Sequence, residues 1–186
     1  METHMRKKNA PEVVLGVTGS IAAYKAAELA RLMVKAGWTV SVIMTKGATR
    51  FVGALTFQTL SRRPVSVDMF DEPEEWVPGH ISLADRASVM VIAPCTANVI
   101  AKLAHGLADD MLTATALACP APLLVVPAMN ERMWVHPATQ ANVATLQSRG
   151  VTILDVGTGD LACGCEGRGR MAEPVQILAA VKQILR

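Results

Sequence analysis

Several short segments of this 186-residue sequence combine small, polar and thiol-bearing side chains in ways that could do chemistry. Thr18-Gly19-Ser20-Ile21 follows an apolar run and opens a helical pattern. Such a turn offers backbone N–H groups at the positive end of a helix dipole, and Ser20 adds a hydroxyl, a set that suits a phosphate. The same residues would serve equally as a plain N-cap turn, and they are not a G-x-G-x-x-G fingerprint, since the glycines are Gly16 and Gly19. Thr45-Lys46-Gly47 and Pro94-Cys95-Thr96-Ala97-Asn98 each follow another apolar run. Each reads as a helix cap alone; together with the first turn they make a small-residue polar rim that suits a phosphate and a flat ring better than a metal ion.

Pro127-Ala128-Met129-Asn130-Glu131-Arg132-Met133-Trp134 sets an amide, an acid and a base between two methionines and a tryptophan. That mixture suits a pocket wall with one fixed polar group, Asn130. His80, in Pro78-Gly79-His80-Ile81, follows a turn at the site edge and is a candidate base beside the plainer reading of a capping or packed histidine. The loop from Gly157 to Gly169 is long and basic, with Arg168 and Arg170 beside Cys163 and Cys165. Long structureless loops in compact domains are functional lids or disordered segments, and nearby guanidinium groups would bias a thiol towards thiolate. Metal ligation is disfavoured: Cys163-x-Cys165 has no second pair, and His80, His105 and His136 follow no ligand spacing. His105 and His136 read as structural, one at a helix end and the other before Pro137.

These segments need elements to hold them. Val13–Val17, Thr39–Met44, Ser88–Ala93, Leu123–Val126 and Val151–Leu154 read as buried strands, with a shorter one at Val65–Met69. Helical patterns occupy Ile21–Ala36, Ala48–Leu60, Ala97–Leu103 continuing through Asp109–Ala118, Pro137–Arg149 and Pro174–Leu185. Asp71–Gly79 and Asp155–Arg170 read as loops. Strands alternating with helices predict βαβ units, hence an α/β fold with a doubly wound parallel sheet, Rossmann-like or flavodoxin-like, in three layers. Ligands bind beyond the carboxyl ends of such strands, where the four segments fall. Residues 1–11 read as a flexible tail and 12–186 as a single domain.

Composition narrows the class. Hydrophobic residues make up 51% and charged residues 18% of the chain, against about 25% charged in an average domain. That excludes a disordered chain and suggests apolar surface covered by a cofactor or by sister subunits. A formal charge of +2, with Arg6-Lys7-Lys8 the longest basic block, leaves no footprint for nucleic acid. The longest uncharged run, Ala116–Met129, is cut by three prolines, so no membrane span is expected. The N-terminus lacks an apolar signal region, and four cysteines in this length are no disulfide scaffold, so a soluble cytoplasmic protein is expected.

From about Val13 to Leu185 the sequence resembles the homo-oligomeric flavin-containing Cys decarboxylases, most closely their coenzyme A branch. Pro127-x-Met129-Asn130-x-x-Met133-Trp134 carries the resemblance, with Gly79-His80-Ile81 and Leu161-Ala162-Cys163-Gly164 followed by Gly167-x-Gly169-Arg170-Met171-Ala172-Glu173-Pro174, which looks like that branch's substrate-clamp loop. The resemblance implies FMN, a homotrimer or a tetramer of trimers, and flavin sites at subunit contacts. It assigns FMN to Gly19, Ser20, Ile21, Thr45, Lys46, Cys95, Thr96, Ala97, Asn98 and Ala128. The family usually carries serine where this chain has Cys95 and Thr96; Thr96 keeps the hydroxyl, while Cys95 weakens any side-chain hydrogen bond there.

The implied reaction is redox-neutral decarboxylation of 4'-phosphopantothenoylcysteine to 4'-phosphopantetheine. Oxidation to a thioaldehyde creates the electron sink that a cysteine carboxylate lacks, and loss of CO2 leaves an ene-thiolate. His80 would be the base that assists thiol oxidation. Asn130 would hold the carboxylate or the amide, with Met133, Leu161 and Ala162 on the substrate, and Cys163 would supply the proton in the reducing step. Peptidyl-cysteine decarboxylases, which stop at the ene-thiol and do without that cysteine, are the alternative. A flavin prenyltransferase is disfavoured by the Asn130 motif, and a regulatory subunit by the absence of an acidic tail after Arg186. No ligase domain fits in this length, so a separate ligase is expected. Cys165 belongs to none of these patterns.

Overall fold

Runs of Val, Ile and Leu with few charges fold as strands buried on both faces, and here they assemble one parallel sheet. The computed structural model describes residues 10–70, 79–160, 164 and 166–186. Strands β1 (Glu12–Val17), β2 (Thr39–Met44), β3 (Val65–Ser66), β4 (Val89–Cys95), β5 (Leu123–Pro127) and β6 (Thr152–Ile153) lie in the order β3-β2-β1-β4-β5-β6, every pair parallel. This is the expected doubly wound α/β sheet.

The two-residue pleat sorts side chains between two cores. Val13, Leu15 and Val17 of β1, with Val89, Val91 and Ala93 of β4, face helices α1 (Ala23–Lys35), α2 (Ala54–Ser61) and α8 (Pro174–Ile184). Val14, Met90 and Ile92 face α3 (Gly79–Arg86), α4 (Ala97–His105), α5 (Met111–Ala118) and α7 (Pro137–Ser148). Gly16 lets α5 approach: a methyl group built there would collide with Leu112.

Four local departures from the expected elements matter for the site. The helix expected over residues 48–60 is a 3-10 turn (Ala48–Arg50) followed by α2, broken where Gly53 takes an extended N-cap conformation. The helical segments expected at 97–103 and 109–118 are two helices, the first running on to His105, because Gly106 turns left-handed (φ 68°) and Asp110 caps a new one. Gly79 and His80 begin α3 rather than ending a loop. The aperiodic stretch 155–170 holds an antiparallel pair, β7 (Gly157–Asp160) and β8 (Glu166–Arg170), whose glycine-rich strands hide the alternation that identifies strands. A last short helix, α6 (Glu131–Trp134), follows β5. Of the expected tail 1–11, residues 1–9 lie outside the described residues, and the Pro11 carbonyl already accepts the Thr39 N–H at 3.0 Å. The expected loop at 71–78 is likewise outside them.

Candidate active site

Strand order reverses between β1 and β4, so the chain departs in opposite directions there and leaves a crevice beyond the two carboxyl ends. Thr18, fully buried, ties the two ends together. Its hydroxyl donates to the Pro94 carbonyl at 2.8 Å and accepts the Thr96 N–H at 3.0 Å. Next to it, Gly19 meets the turn after β2: a Cβ added at Gly19 would stand 3.1 Å from the Gly47 carbonyl carbon. Only two glycines let these turns approach so closely, and they form the floor of a cleft of about 680 Å3. This lies within the roughly 300–1,000 Å3 of small-molecule and cofactor sites.

The cleft wall mixes small and polar residues, Gly19, Thr45, Gly47, Thr96 and Asn98, with apolar and sulfur-bearing ones, Val67, Met69, Phe70, Met111 and Met133. Thr45 Oγ1 accepts the Ala48 N–H at 3.2 Å and Thr96 Oγ1 caps α4 by accepting the Val99 N–H at 3.4 Å. A hydroxyl that accepts still has a proton to donate to a ligand. A phosphorylated flat-ring molecule fits such a mixed wall: anion and hydroxyls at the turns, ring against the methionines.

The charges that line the cleft are paired. Lys102, on α4, bonds Asp109 at 2.6 Å and Asp110 at 2.9 Å across the break at Gly106. Its hydrogen bond to Asp109, then those to Asp110, hold the ammonium above its usual range against the opposing effect of burial. Burial pushes the Asp110 carboxyl up, but the Thr113 N–H and Lys102 outweigh it and leave it below the usual carboxylate range. On the opposite side Lys46 pairs with Asp68 at 2.6 Å, and that contact, with the Phe70 N–H, lowers the Asp68 carboxyl.

The motif after β5 is built against the hairpin. Asn130 caps α6, its Oδ1 accepting the Arg132 N–H at 2.9 Å, which orients the side-chain amide nitrogen as the donor. The Met129 N–H donates to the Gly169 carbonyl at 3.0 Å, and the Arg168 N–H to Glu131 Oε1 at 3.1 Å. Strand β8, which leads out of the 161–165 segment, is therefore fixed to the Asn130 turn. Helix α3 brings its C-terminal end to Glu12 at the start of β1, where Ser88 N–H donates to the Glu12 carbonyl at 2.8 Å. Its first turn, with His80, is the opposite end of this helix, and neither His80 nor Asn130 is among the residues that line the cleft. His80 Nδ1 is buried with no hydrogen-bond partner among the described residues.

Of the ten residues assigned to the cofactor, Gly19, Thr45, Lys46, Thr96 and Asn98 line the cleft. Cys95 does not reach it: the pleat turns its thiol into the α4–α5 core, where it is fully buried and its pKa is raised by desolvation. Ala128 is also in the core, 4% exposed, with its N–H on the Cys95 carbonyl. The Ser20 hydroxyl accepts the Ala22 N–H at 3.3 Å and keeps its proton to donate, while Ile21 points out to solvent and Ala97 lies in the first turn of α4. Of the substrate set, Met133 lines the cleft, and Leu161, Ala162 and Cys163, with Cys165, lie outside the described residues. Of the arginines near those thiols in sequence, Arg168 pairs with Asp155 at 3.1 Å and Arg170 with Glu173 at 3.8 Å. Sequence reasoning missed Asp68, Phe70, Lys102, Asp109 and Asp110, which carry no spacing signal because folding alone makes them neighbours. His136 is structural, its Nδ1 accepting the Ala138 N–H at 3.2 Å at the start of α7. Among the described residues no three metal-ligating side chains converge, and no helix is long and apolar enough to cross a membrane.

Comparison with known proteins bears on this geometry. The chain is 49% identical over 170 residues to the coenzyme A biosynthesis bifunctional protein CoaBC of Bacillus subtilis (strain 168), covering 91% of this chain and 42% of that protein. The chain thus spans less than half the length of the curated relatives it matches. Among solved structures, a PPC decarboxylase variant complexed with pantothenoylaminoethenethiol superposes with a TM-score of 0.85 at 33% identity, covering 94% of this chain and 98% of that one. The FMN-dependent cysteine decarboxylase SpaF superposes with a TM-score of 0.80 at 32% identity, covering 95% and 98%. The flavoprotein family model matches residues 1–186, and the chain belongs to the flavoprotein family.

Proposed function

We propose that residues 12–186 form an FMN-dependent decarboxylase acting on 4'-phosphopantothenoylcysteine and releasing 4'-phosphopantetheine. The observation that carries this reading is the junction of the Asn130 turn with the hairpin on either side of Cys163 in sequence, together with a cleft lined by glycines, small polar residues and methionines. It is supported by likeness to a PPC decarboxylase whose bound compound, by its name, is an ene-thiol of pantothenic acid, and to proteins of coenzyme A biosynthesis. FMN would lie in the cleft, its phosphate at Gly19, Ser20 and Thr45, with Lys46, Thr96 and Asn98 along its length. Bound FMN supplies a two-electron sink at the substrate's Cβ–S bond and returns the electrons after CO2 has left.

The chain's own residues do the rest. The Asn130 amide nitrogen donates to the substrate carboxylate, orienting it for cleavage. Since His80 Nδ1 has no accessible surface, Nε2 is the atom that takes the thiol proton. Met133 walls off water, and Cys163 supplies the proton in the reducing step. Apolar side chains left exposed at the carboxyl edge, among them Ile21, Tyr24, Phe51 and Leu55, support a homotrimer or a tetramer of trimers covering them. A cytoplasmic setting, with the ligation that makes the substrate performed by another domain or protein, completes the reading. A peptidyl-cysteine substrate is the alternative reading; SpaF is, by its name, an FMN-dependent cysteine decarboxylase.

Anaerobic incubation of the FMN-loaded chain with 4'-phosphopantothenoylcysteine, read by mass spectrometry beside a Cys163→Ser variant, tests this. Loss of CO2 to 4'-phosphopantetheine, with an ene-thiol accumulating in the variant, is expected. No turnover by the loaded wild type, with turnover of a peptide ending in cysteine, overturns it in favour of the alternative.

A further inference from the structure

Phe70 is 88% exposed, the largest exposure among the large apolar side chains of the described residues, yet it lines the cleft. Its position is built. The Phe70 N–H donates to Asp68 Oδ1 at 3.2 Å, closing a local turn, while Asp68 Oδ2 holds Lys46 at 2.6 Å. Lys46 belongs to the turn whose Gly47 lies against Gly19. The backbone that carries this aromatic ring is thus tied, through Asp68 and Lys46, to the turn after β2. A flat ligand stacked on this ring would remove its apolar surface from water.

We propose that Phe70 is an aromatic wall of the cleft, stacking on the flavin ring and held there by the Asp68–Lys46 tie. The proposal rests on the reading that the cleft takes FMN. Offset stacking of an aromatic side chain on a heteroaromatic ring adds about tenfold in affinity. The same arrangement ties ring and phosphate ends together, since the Lys46 turn serves both.

The test uses the full chain, FMN and far-ultraviolet circular dichroism as a check on folding. Phe70→Ala is expected to weaken FMN binding about tenfold, Phe70→Tyr to restore it, and Asp68→Asn to weaken it by less than Phe70→Ala. Phe70→Trp supplies a readout independent of activity. An indole stacked on a flavin quenches its fluorescence by electron transfer, so bound FMN should be dimmer in Phe70→Trp than in wild type. FMN that binds all four variants with wild-type affinity and fluorescence overturns the wall, as does a change of oligomeric state in Phe70→Ala with FMN binding intact, which would mean that a second copy covers the ring. A folded wild type that binds no FMN strikes the parent reading instead.

Discussion

Gly169→Ala should detach the hairpin from the Asn130 turn while leaving the sheet folded. Gly169 has φ +143°, a conformation that costs other residues about 1–3 kcal/mol. A Cβ there would also collide with the Met129 carbonyl oxygen and stand 3.4 Å from the Asn130 carbonyl carbon. Both are backbone atoms, so no rotamer change relieves the overlap, and overpacking of this kind costs a further 1–3 kcal/mol or so. Keeping the docked geometry therefore costs about 4 kcal/mol. Lifting off forfeits two hydrogen bonds, Met129 N–H to Gly169 and Arg168 N–H to Glu131, each worth about 1 kcal/mol. Undocking is the cheaper outcome by about 2 kcal/mol on these figures, so the variant should lose hairpin contacts rather than the fold. Hydrogen exchange across 157–170 should quicken, the urea transition should shift by no more than about 2 kcal/mol, and decarboxylation should collapse while FMN affinity holds. Gly157→Ala is the control: its Cβ would meet Arg170 atoms at 3.6 and 3.7 Å, an ordinary contact, so it should behave as wild type. A Gly169→Ala protein with unchanged exchange and turnover would refute the reasoning.

The two glycines at the cleft floor differ in the same way. Gly19→Ala places a methyl 3.1 Å from the Gly47 backbone and should weaken FMN binding about tenfold, whereas Gly47→Ala finds its nearest atom, Gly19 Cα, at 3.5 Å and should cost less than about threefold; a fluorescence titration that ranks them equally would contradict the geometry. Asp110→Ala removes the α5 cap and a Lys102 partner and should lower stability to urea by about 1 kcal/mol at neutral pH. Because the folded Asp110 carboxyl lies below its unfolded range, its charge stabilises the fold above about pH 4 and that part is lost as pH falls through the folded value, so the gap between wild type and variant should narrow in acid. Cys95, fully buried with a raised pKa, should stay unlabelled by a thiol reagent at neutral pH in the folded protein and react in urea.

Much of the fold was legible because its signals are local. The apolar runs at Val13–Val17 and Thr39–Met44 fall on strands, and the α/β alternation made a parallel sheet the only economical arrangement. Helix α3 was not legible: Gly79 at its start reads as a turn residue. Nor was the β7–β8 hairpin, whose glycines meet a tertiary demand, the close approach of Gly169 to Met129.

The site divides along the same line. Residue types and spacing determined the turns at Gly19, Thr45 and Thr96 and the Asn130 motif, because each acts within a few residues of itself, as a cap or a tight turn. Tertiary structure decided the rest. It turned the Cys95 thiol and the Ala128 methyl into the core, since a strand side chain faces whichever way the pleat and register dictate. It also joined Lys102 to Asp109 and Asp110 across a helix break, Lys46 after β2 to Asp68 after β3, and the Asn130 turn to a hairpin nearly forty residues on. Such contacts depend on where separate elements come to rest, which the packing of the whole sheet fixes and no local pattern encodes.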